Sequence, residues 1–252
     1  MPRGRRCTTD DQSEMSSSPG GSGVAGATWA LIVAAGSGER LGIDRPKAFA
    51  VLGGRPLLAE SLDRLDRCPW VDAIVVAAPP GWEEPVILLA EELTVTKVVS
   101  CVTGGATRAD SVRAALADVS EDALVVLVHD AARPLVDDAV VERVLGPLSE
   151  GYDGVVPGLP IADTVKLVRG RDVVETVSRD GLFRAQTPQA FLAPALRQAY
   201  TGDLSGATDC ASLVELRGGR VALVEGDSKL LKVTTPEDLA RVESWLHGRP
   251  SG

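Results

Sequence analysis

From Trp29 onward the chain alternates between two hydrophobic patterns. Continuous apolar blocks, WALIVAA (29–35), DAIVVAA (72–78), TKVVSCV (96–102), ALVVLVHD (123–130) and GVVPG (154–158), read as strands. Between them, in Pro56–Arg67, Glu83–Leu93, Arg108–Ala117 and Asp137–Leu148, apolar residues recur at helical spacing. Strands that are apolar on both faces have no side to turn to water. They predict an α/β fold with a mainly parallel sheet and helices on both faces. Ligands of such sheets bind beyond the carboxyl ends of the strands. The loops after Ala35 and Val128 are therefore expected to share one crevice.

One segment breaks the alternation. Ala162–Leu182 holds two β-branched runs, Thr164–Val168 and Val173–Val177, around the turn RGRD. This predicts a hairpin arm, about 160–182, that projects from the sheet. Helix is then expected at Ala190–Tyr200 and Thr208–Leu216, strand at Arg220–Val224, and a last helix at Pro236–Leu246 capped by Thr235. Residues 1–28 are rich in Gly, Ser and charge without periodicity, and no apolar stretch follows the early arginines. They read as a disordered extension before a single domain over 29–248, and initiation at Met15 is open.

Composition narrows the class. The 252 residues are 44% hydrophobic and 24% charged, as in ordinary globular domains. A net charge of -9 argues against general affinity for nucleic acid or an anionic membrane. The four cysteines, Cys7, Cys68, Cys101 and Cys210, lie far apart, and there are two histidines, His129 and His247. A cysteine- or histidine-based metal centre is not expected, and a cytoplasmic location is. No apolar run approaches the roughly 20 residues that span a bilayer.

The chemistry starts at LIVAAGSGERLGIDRPKAF, Leu31–Phe49. The Gly-Lys-Ser/Thr ending of a P-loop is missing, and Leu41 stands where a dinucleotide fingerprint has its third glycine, which disfavours a dehydrogenase. Glycines still let backbone N–H groups approach phosphate oxygens. Arg40 and Lys47 in the same segment supply cations for charge that develops during phosphoryl transfer. A tight strand-to-helix turn is the competing reading of the glycines.

Ala34-Ala35-Gly36-x-Gly38-x-Arg40-Leu41-Gly42 with Pro46-Lys47-x-Phe49 resembles the nucleotidyltransferase signature. GGATRADSV (104–112), HDAARP (129–134), DTVK (163–166), TVSRDGLFRAQTPQ (176–189), ATDCAS (207–212) and KVTTPEDL (232–239) follow in the order of one family. That family is 2-C-methyl-D-erythritol 4-phosphate cytidylyltransferase, and the likeness covers Trp29 to about Leu246. It implies a Rossmann-like fold of the nucleotide-diphospho-sugar transferase type, with CTP and 2-C-methyl-D-erythritol 4-phosphate as substrates. It also implies Mg2+ or another divalent cation, and a homodimer formed through the arm.

The resemblance assigns Arg40, Lys47, Arg179 and Lys232 to catalysis. Backbone at Ala34, Ala35, Gly36 and Gly38, together with Gly104, Gly105 and Ser111, would hold the nucleotide and read cytosine. Asp130 would hold the metal or a ribose hydroxyl, and Arg133 would face the triphosphate. Thr164, Thr187 and Thr208 would line the acceptor side. His129 reads as a packed neighbour. One position departs from the family: an aspartate often found three residues before the lysine is here Lys229, with Asp227 two residues earlier. A ribitol 5-phosphate cytidylyltransferase and a non-catalytic nucleotide-binding module of the same fold are the alternative readings.

Overall fold

The computed structural model describes residues 27–36, 38–246 and 248. The expected extension over 1–28 thus lies outside the described residues as far as residue 26, and Thr28 is the first residue of a strand. Twelve strands are present among the described residues: β1 (Thr28–Val33), β2 (Val51–Leu52), β3 (Arg55–Pro56), β4 (Ala73–Ala78), β5 (Val98–Thr103), β6 (Val125–Asp130), β7 (Gly154–Pro160), β8 (Val165–Arg169), β9 (Asp172–Val177), β10 (Phe183–Ala185), β11 (Gln189–Leu192) and β12 (Val221–Glu225). The α-helices are α1 (Leu57–Arg67), α2 (Glu83–Glu92), α3 (Arg108–Leu116), α4 (Asp138–Leu145), α5 (Ala193–Ala199), α6 (Cys210–Leu216) and α7 (Pro236–Leu246).

Eight strands form one sheet: seven lie in the order β10-β7-β11-β6-β1-β4-β5, and β12 pairs with residues 154–158 of β7 on the edge away from β11, while β10 pairs with residues 158–160. The pairs β6–β1, β1–β4, β4–β5 and β7–β12 are parallel, and β11 runs antiparallel between β6 and β7. Alternate residues of the central strands feed two separate cores, as the strand pleat requires. Ala30, Ile32, Ile74, Val76 and Leu127 pack with Leu58, Leu62, Val86 and Val140 from α1, α2 and α4. Leu31, Val75, Val126 and Val128 pack on the opposite face with Val112, Leu196 and Val214 from α3, α5 and α6. A third cluster, with Leu41, Leu52, Leu135, Val233 and Val242, lies between the glycine-loop segment, the segment after β12 and α7.

The expected helix at Ala190–Tyr200 is corrected. Gln189–Leu192 is β11, in register with Val125–Val128 of β6, and helix begins only at Ala193 with Pro194 in its first turn. The gap between β6 and β7 demands a strand, and this tertiary demand overrides the local helical pattern. Thr235 does cap α7: its hydroxyl accepts from Asp238 N–H, and the Asp238 carboxylate accepts from Thr235 N–H. The arm is a separate two-stranded sheet, β8 with β9, anchored where Ile161 N–H meets the Leu182 carbonyl. Leu167, Val168, Val173 and Val174 on it are exposed.

Candidate active site

The carboxyl ends of β1 and β6, adjacent parallel strands, open onto a cavity of about 720 Å³. Its walls include Ala34, Ala35, Gly36, Gly38, Arg40 and Lys47 from the first loop, Gly105 and Ser111 from the turn into α3, Asp130 from β6, and Lys232. The two loops foreseen to share a crevice do share it.

The glycine loop is folded so that its lysine comes back to its start. Lys47 N–H donates to the Gly36 carbonyl at 3.3 Å. Gly38 adopts a left-handed φ of 79°, and a Cβ there would lie 2.9 Å from the Lys47 Cβ. A side chain at Gly38 would therefore be strained and would push the lysine out of place. Across the cavity, Ser111 Oγ accepts from Gly105 N–H at 3.1 Å and donates to the Thr107 carbonyl at 2.9 Å. Gly104 sits behind this wall, where a Cβ would fall 2.4 Å from that of Ala35.

Asp130 is 6% exposed and carries the electrostatics of the floor. Its Oδ1 accepts from Arg108 Nε at 2.9 Å, and its Oδ2 accepts from Lys232 Nζ at 2.7 Å. Burial opposes its charge, but Arg108 and Lys232 outweigh that and hold the carboxyl far below its usual range. Lys47 is shifted the other way. Burial, reinforced by Lys232 and only partly countered by Asp130, lowers it from 10.5 to about 8, with Arg40 and Arg133 adding to the repulsion.

His129 is fully buried, and burial lowers its pKa to about 4. Asp130 N–H donates to Thr187 Oγ1 at 3.0 Å, and the Thr187 hydroxyl donates to His129 Nδ1 at 3.3 Å, because the Arg133 carbonyl can only accept and so keeps the proton of the neutral ring on Nε2. His129 Nε2–H then donates to the Arg133 carbonyl at 3.1 Å. A neutral imidazole satisfied at both nitrogens orients its neighbours and is not placed as an acid or base.

Ten of the residues singled out in the sequence line the cavity; six do not. Arg133 turns away from it: its guanidinium donates to the Leu230 carbonyl at 2.5 Å and the Ala185 carbonyl at 3.4 Å. Thr187 lies behind Asp130, and Gly104 behind Gly105. Thr208 is exposed next to Asp209, the cap of α6. Thr164 and Arg179 sit exposed at the base of the arm, where Arg179 donates to the Ala162 carbonyl. Asp227 uses its carboxylate to accept from Lys229 N–H at 2.7 Å, capping a 3-10 turn, and does not reach the cavity.

Sequence reasoning missed Arg108, Glu39, Thr107 and Thr234, which all line the cavity. Arg108 stood inside a motif already singled out. Its importance lies in its partners, Asp130 and the Cys210 sulfur at 3.2 Å, which lie 22 and 102 residues away.

The family model for 2-C-methyl-D-erythritol 4-phosphate cytidylyltransferase matches residues 28–248. The chain belongs to this family. The cytidylyltransferase of Nocardia farcinica is 46% identical over 225 residues, 89% of this chain and 96% of that protein. That of Saccharopolyspora erythraea is 46% identical over 221 residues, covering 86% and 98%. Among solved structures, the Thermus thermophilus cytidylyltransferase superposes with a TM-score of 0.70 at 34% identity over 86% of this chain and 98% of the other. The 4-diphosphocytidyl-2C-methyl-D-erythritol synthase of Anaerococcus prevotii gives 0.76 at 27% identity, over 88% and 99%. No described helix is long and apolar enough to cross a membrane.

The Lys47 charge is held at a cost to the fold, and the sign of its pH dependence follows. A folded-state pKa of about 8 against the usual 10.5 means that the protonated lysine destabilises the protein below pH 8, with relief as pH rises from 8 to 10.5. Lys47→Met should therefore raise stability by about 1–3 kcal/mol at pH 7 and by almost nothing at pH 10.5. Denaturant midpoints of both proteins at the two pH values check this; a destabilised variant at pH 7 would contradict it.

Proposed function

We propose that the chain transfers CMP from CTP to 2-C-methyl-D-erythritol 4-phosphate, giving 4-diphosphocytidyl-2-C-methyl-D-erythritol and pyrophosphate. The observation that carries this reading is the convergence of Arg40, Lys47, Arg108 and Lys232 on one cavity, around a single buried carboxylate, in a member of this family. A phosphate oxygen of the acceptor attacks the α-phosphorus in line. The bond from that phosphorus to the bridging oxygen breaks, and pyrophosphate leaves. An acceptor that is already ionised needs no general base, which suits a site whose histidine is committed elsewhere. Catalysis is then positioning plus stabilisation of the oxygens that gain charge, by Arg40 and Lys47 on the triphosphate and Lys232 towards the acceptor.

Base choice follows from Ser111. Its proton is given to Thr107, and one lone pair is taken by Gly105, so one acceptor position remains. Cytosine presents an amino donor to such a group, whereas uracil presents a carbonyl and would leave both unpaired. The backbone at Gly104, Gly105, Ala34 and Ala35 completes this wall.

The metal expectation at Asp130 does not fit the donor set. Both carboxylate oxygens are held by cations, and no cluster of three or more His, Cys, Asp or Glu side chains suits a metal among the described residues. In our reading Mg2+ enters as part of the Mg–CTP substrate, and Asp130 serves as counter-ion to Arg108 and Lys232. Calorimetric titration of the ligand-free protein should show no saturable Mg2+ binding below about 1 mM. A tight site in the absence of CTP would restore Asp130 as a ligand.

The arm supports a homodimer with shared sites. A lone two-stranded hairpin is marginal in water, and this one exposes four large apolar side chains. Covered by a second copy, it would bring Thr164 and Arg179 to the neighbouring acceptor site. The described cysteines, Cys68, Cys101 and Cys210, are free thiols, which suits a cytoplasmic enzyme.

Two experiments test this function. Pyrophosphate release should be rapid with CTP and 2-C-methyl-D-erythritol 4-phosphate, at least about 100-fold slower with UTP, and weak with ribitol 5-phosphate. Equal rates with the two polyol phosphates would favour the ribitol enzyme. Mixing inactive Lys47→Ala and Arg179→Ala proteins should restore up to about a quarter of wild-type activity. About half of randomly formed dimers are mixed, and each has one intact site. A mixture still inactive after verified subunit exchange would reduce the arm to a clasp.

A further inference from the structure

Lys232 stands on a segment that has little structure of its own. Between β12 and α7 the chain makes only one short 3-10 turn, Ser228–Leu230, yet the Lys232 ammonium is fixed 2.7 Å from Asp130. Side chains and backbone from elsewhere hold the segment. Gln186 is 5% exposed and clamps the Asp227 peptide from both sides. Its Nε2 donates to the Asp227 carbonyl at 2.8 Å, and its Oε1 accepts from Asp227 N–H at 3.0 Å. The carboxamide thus acts as a strand partner for one residue. The approach requires glycine next door, because a Cβ on Gly226 would lie 2.1 Å from Gln186 Oε1. Further along, Arg133 holds the Leu230 carbonyl, and Val233 N–H donates to the Ala132 carbonyl at 2.8 Å.

Gln186 also sits at a junction. Its own N–H donates to the Pro157 carbonyl at 2.7 Å, its predecessor Ala185 ends β10, the main-sheet strand that follows the arm, and its successor Thr187 binds Asp130 N–H. Gln186 lines no part of the cavity. We infer that Gln186 is a positioning residue for the transfer reaction: by clamping the Asp227 backbone it sets where the Lys232 ammonium lies, against Asp130 and opposite Lys47.

The inference rests on the proposed cytidylyltransferase reaction for its kinetic consequence, but its geometry has a readout that needs no substrate. The charged groups acting on Lys47 are Lys232, Asp130, Arg40 and Arg133, and Lys232 is the strongest of them. If Lys232 drifts, Lys47 loses its main cationic neighbour and becomes easier to protonate.

The test uses the full chain with Gln186→Met, which preserves length but neither clamps nor repels, and Gln186→Glu, which keeps the oxygen for Asp227 N–H and sets another against the carbonyl. The pH dependence of Lys47 acetylation by acetic anhydride, read by mass spectrometry, gives its titration midpoint. Wild type should titrate near 8, and both variants at least about half a unit higher, in the same direction as Lys232→Ala. Turnover should fall about tenfold or more in Gln186→Met, while KM for CTP changes less than about threefold, because the base-reading wall is untouched. Wild-type midpoint and turnover in variants that merely melt earlier would overturn the inference. Should Gln186→Met fail to fold, Gly226→Ala carries the same test from the other side of the clamp, with the same expected and overturning results. A wild-type protein that releases no pyrophosphate, with the midpoint shift intact, would instead overturn the functional reading and leave the positioning role standing.

Discussion

One buried negative charge organises the site. Asp130 sits at the end of a central strand, where an isolated carboxylate would be expensive to desolvate, and it is satisfied by a guanidinium on one oxygen and an ammonium on the other. That pairing fixes Arg108 and Lys232 in space. It also leaves the cavity short of negative charge, because Arg40 and Lys47 face the same volume with no comparably buried partner. Lys47 feels it as well: burial lowers its pKa most, and the neighbouring Lys232 charge lowers it further. A bound phosphate chain supplies what is missing, so the interactions that destabilise the empty site are those that favour its occupant.

The fold makes such an arrangement affordable by keeping the strain local. β1 and β6 are neighbours in the middle of the sheet, covered on both faces by apolar layers, so their ends are rigid platforms. The loops that carry Lys47 and Lys232 are farther apart in sequence than any other pair in the site. They are brought together by the third cluster, in which Leu41 and Leu52 from one side meet Val233 and Val242 from the other. Neither loop has enough regular structure to place a cation alone. Glycine geometry and a backbone hydrogen bond do so for Lys47, and the Gln186 clamp and the Arg133 contact do so for Lys232.

What was legible in the sequence follows the range of the forces involved. Strands apolar on both faces announce a covered sheet because burial is written into every residue of the run, and the arm was visible because its β-branched runs flank a turn. β11 was not, since Gln189–Leu192 becomes a strand only through the vacancy between β6 and β7. The same distinction divides the site. Backbone-lined positions such as Gly36, Gly38 and Gly105 stand beside the strand ends that create them. Arg133 was read from its neighbourhood to Asp130, but side-chain direction is set by the carbonyls it finds, and those belong to residues 52 and 97 positions away. Arg108 and Gln186 were passed over for the same reason: their partners are distant and their residue types are ordinary.

The exchange at Lys229 shows how a local departure can be absorbed. A lysine stands where a family aspartate is common, yet the turn is still closed by a carboxylate, because Asp227 caps it through Lys229 N–H. That carboxylate does not reach the cavity. The acidic groups lining the cavity among the described residues are therefore Asp130 and Glu39, against Arg40, Lys47, Arg108 and Lys232. Two phosphorylated substrates together bring about six negative charges, more than this balance can neutralise. On the proposed reading, a cation carried in on the nucleotide and a guanidinium from a second copy's arm would both answer this shortfall.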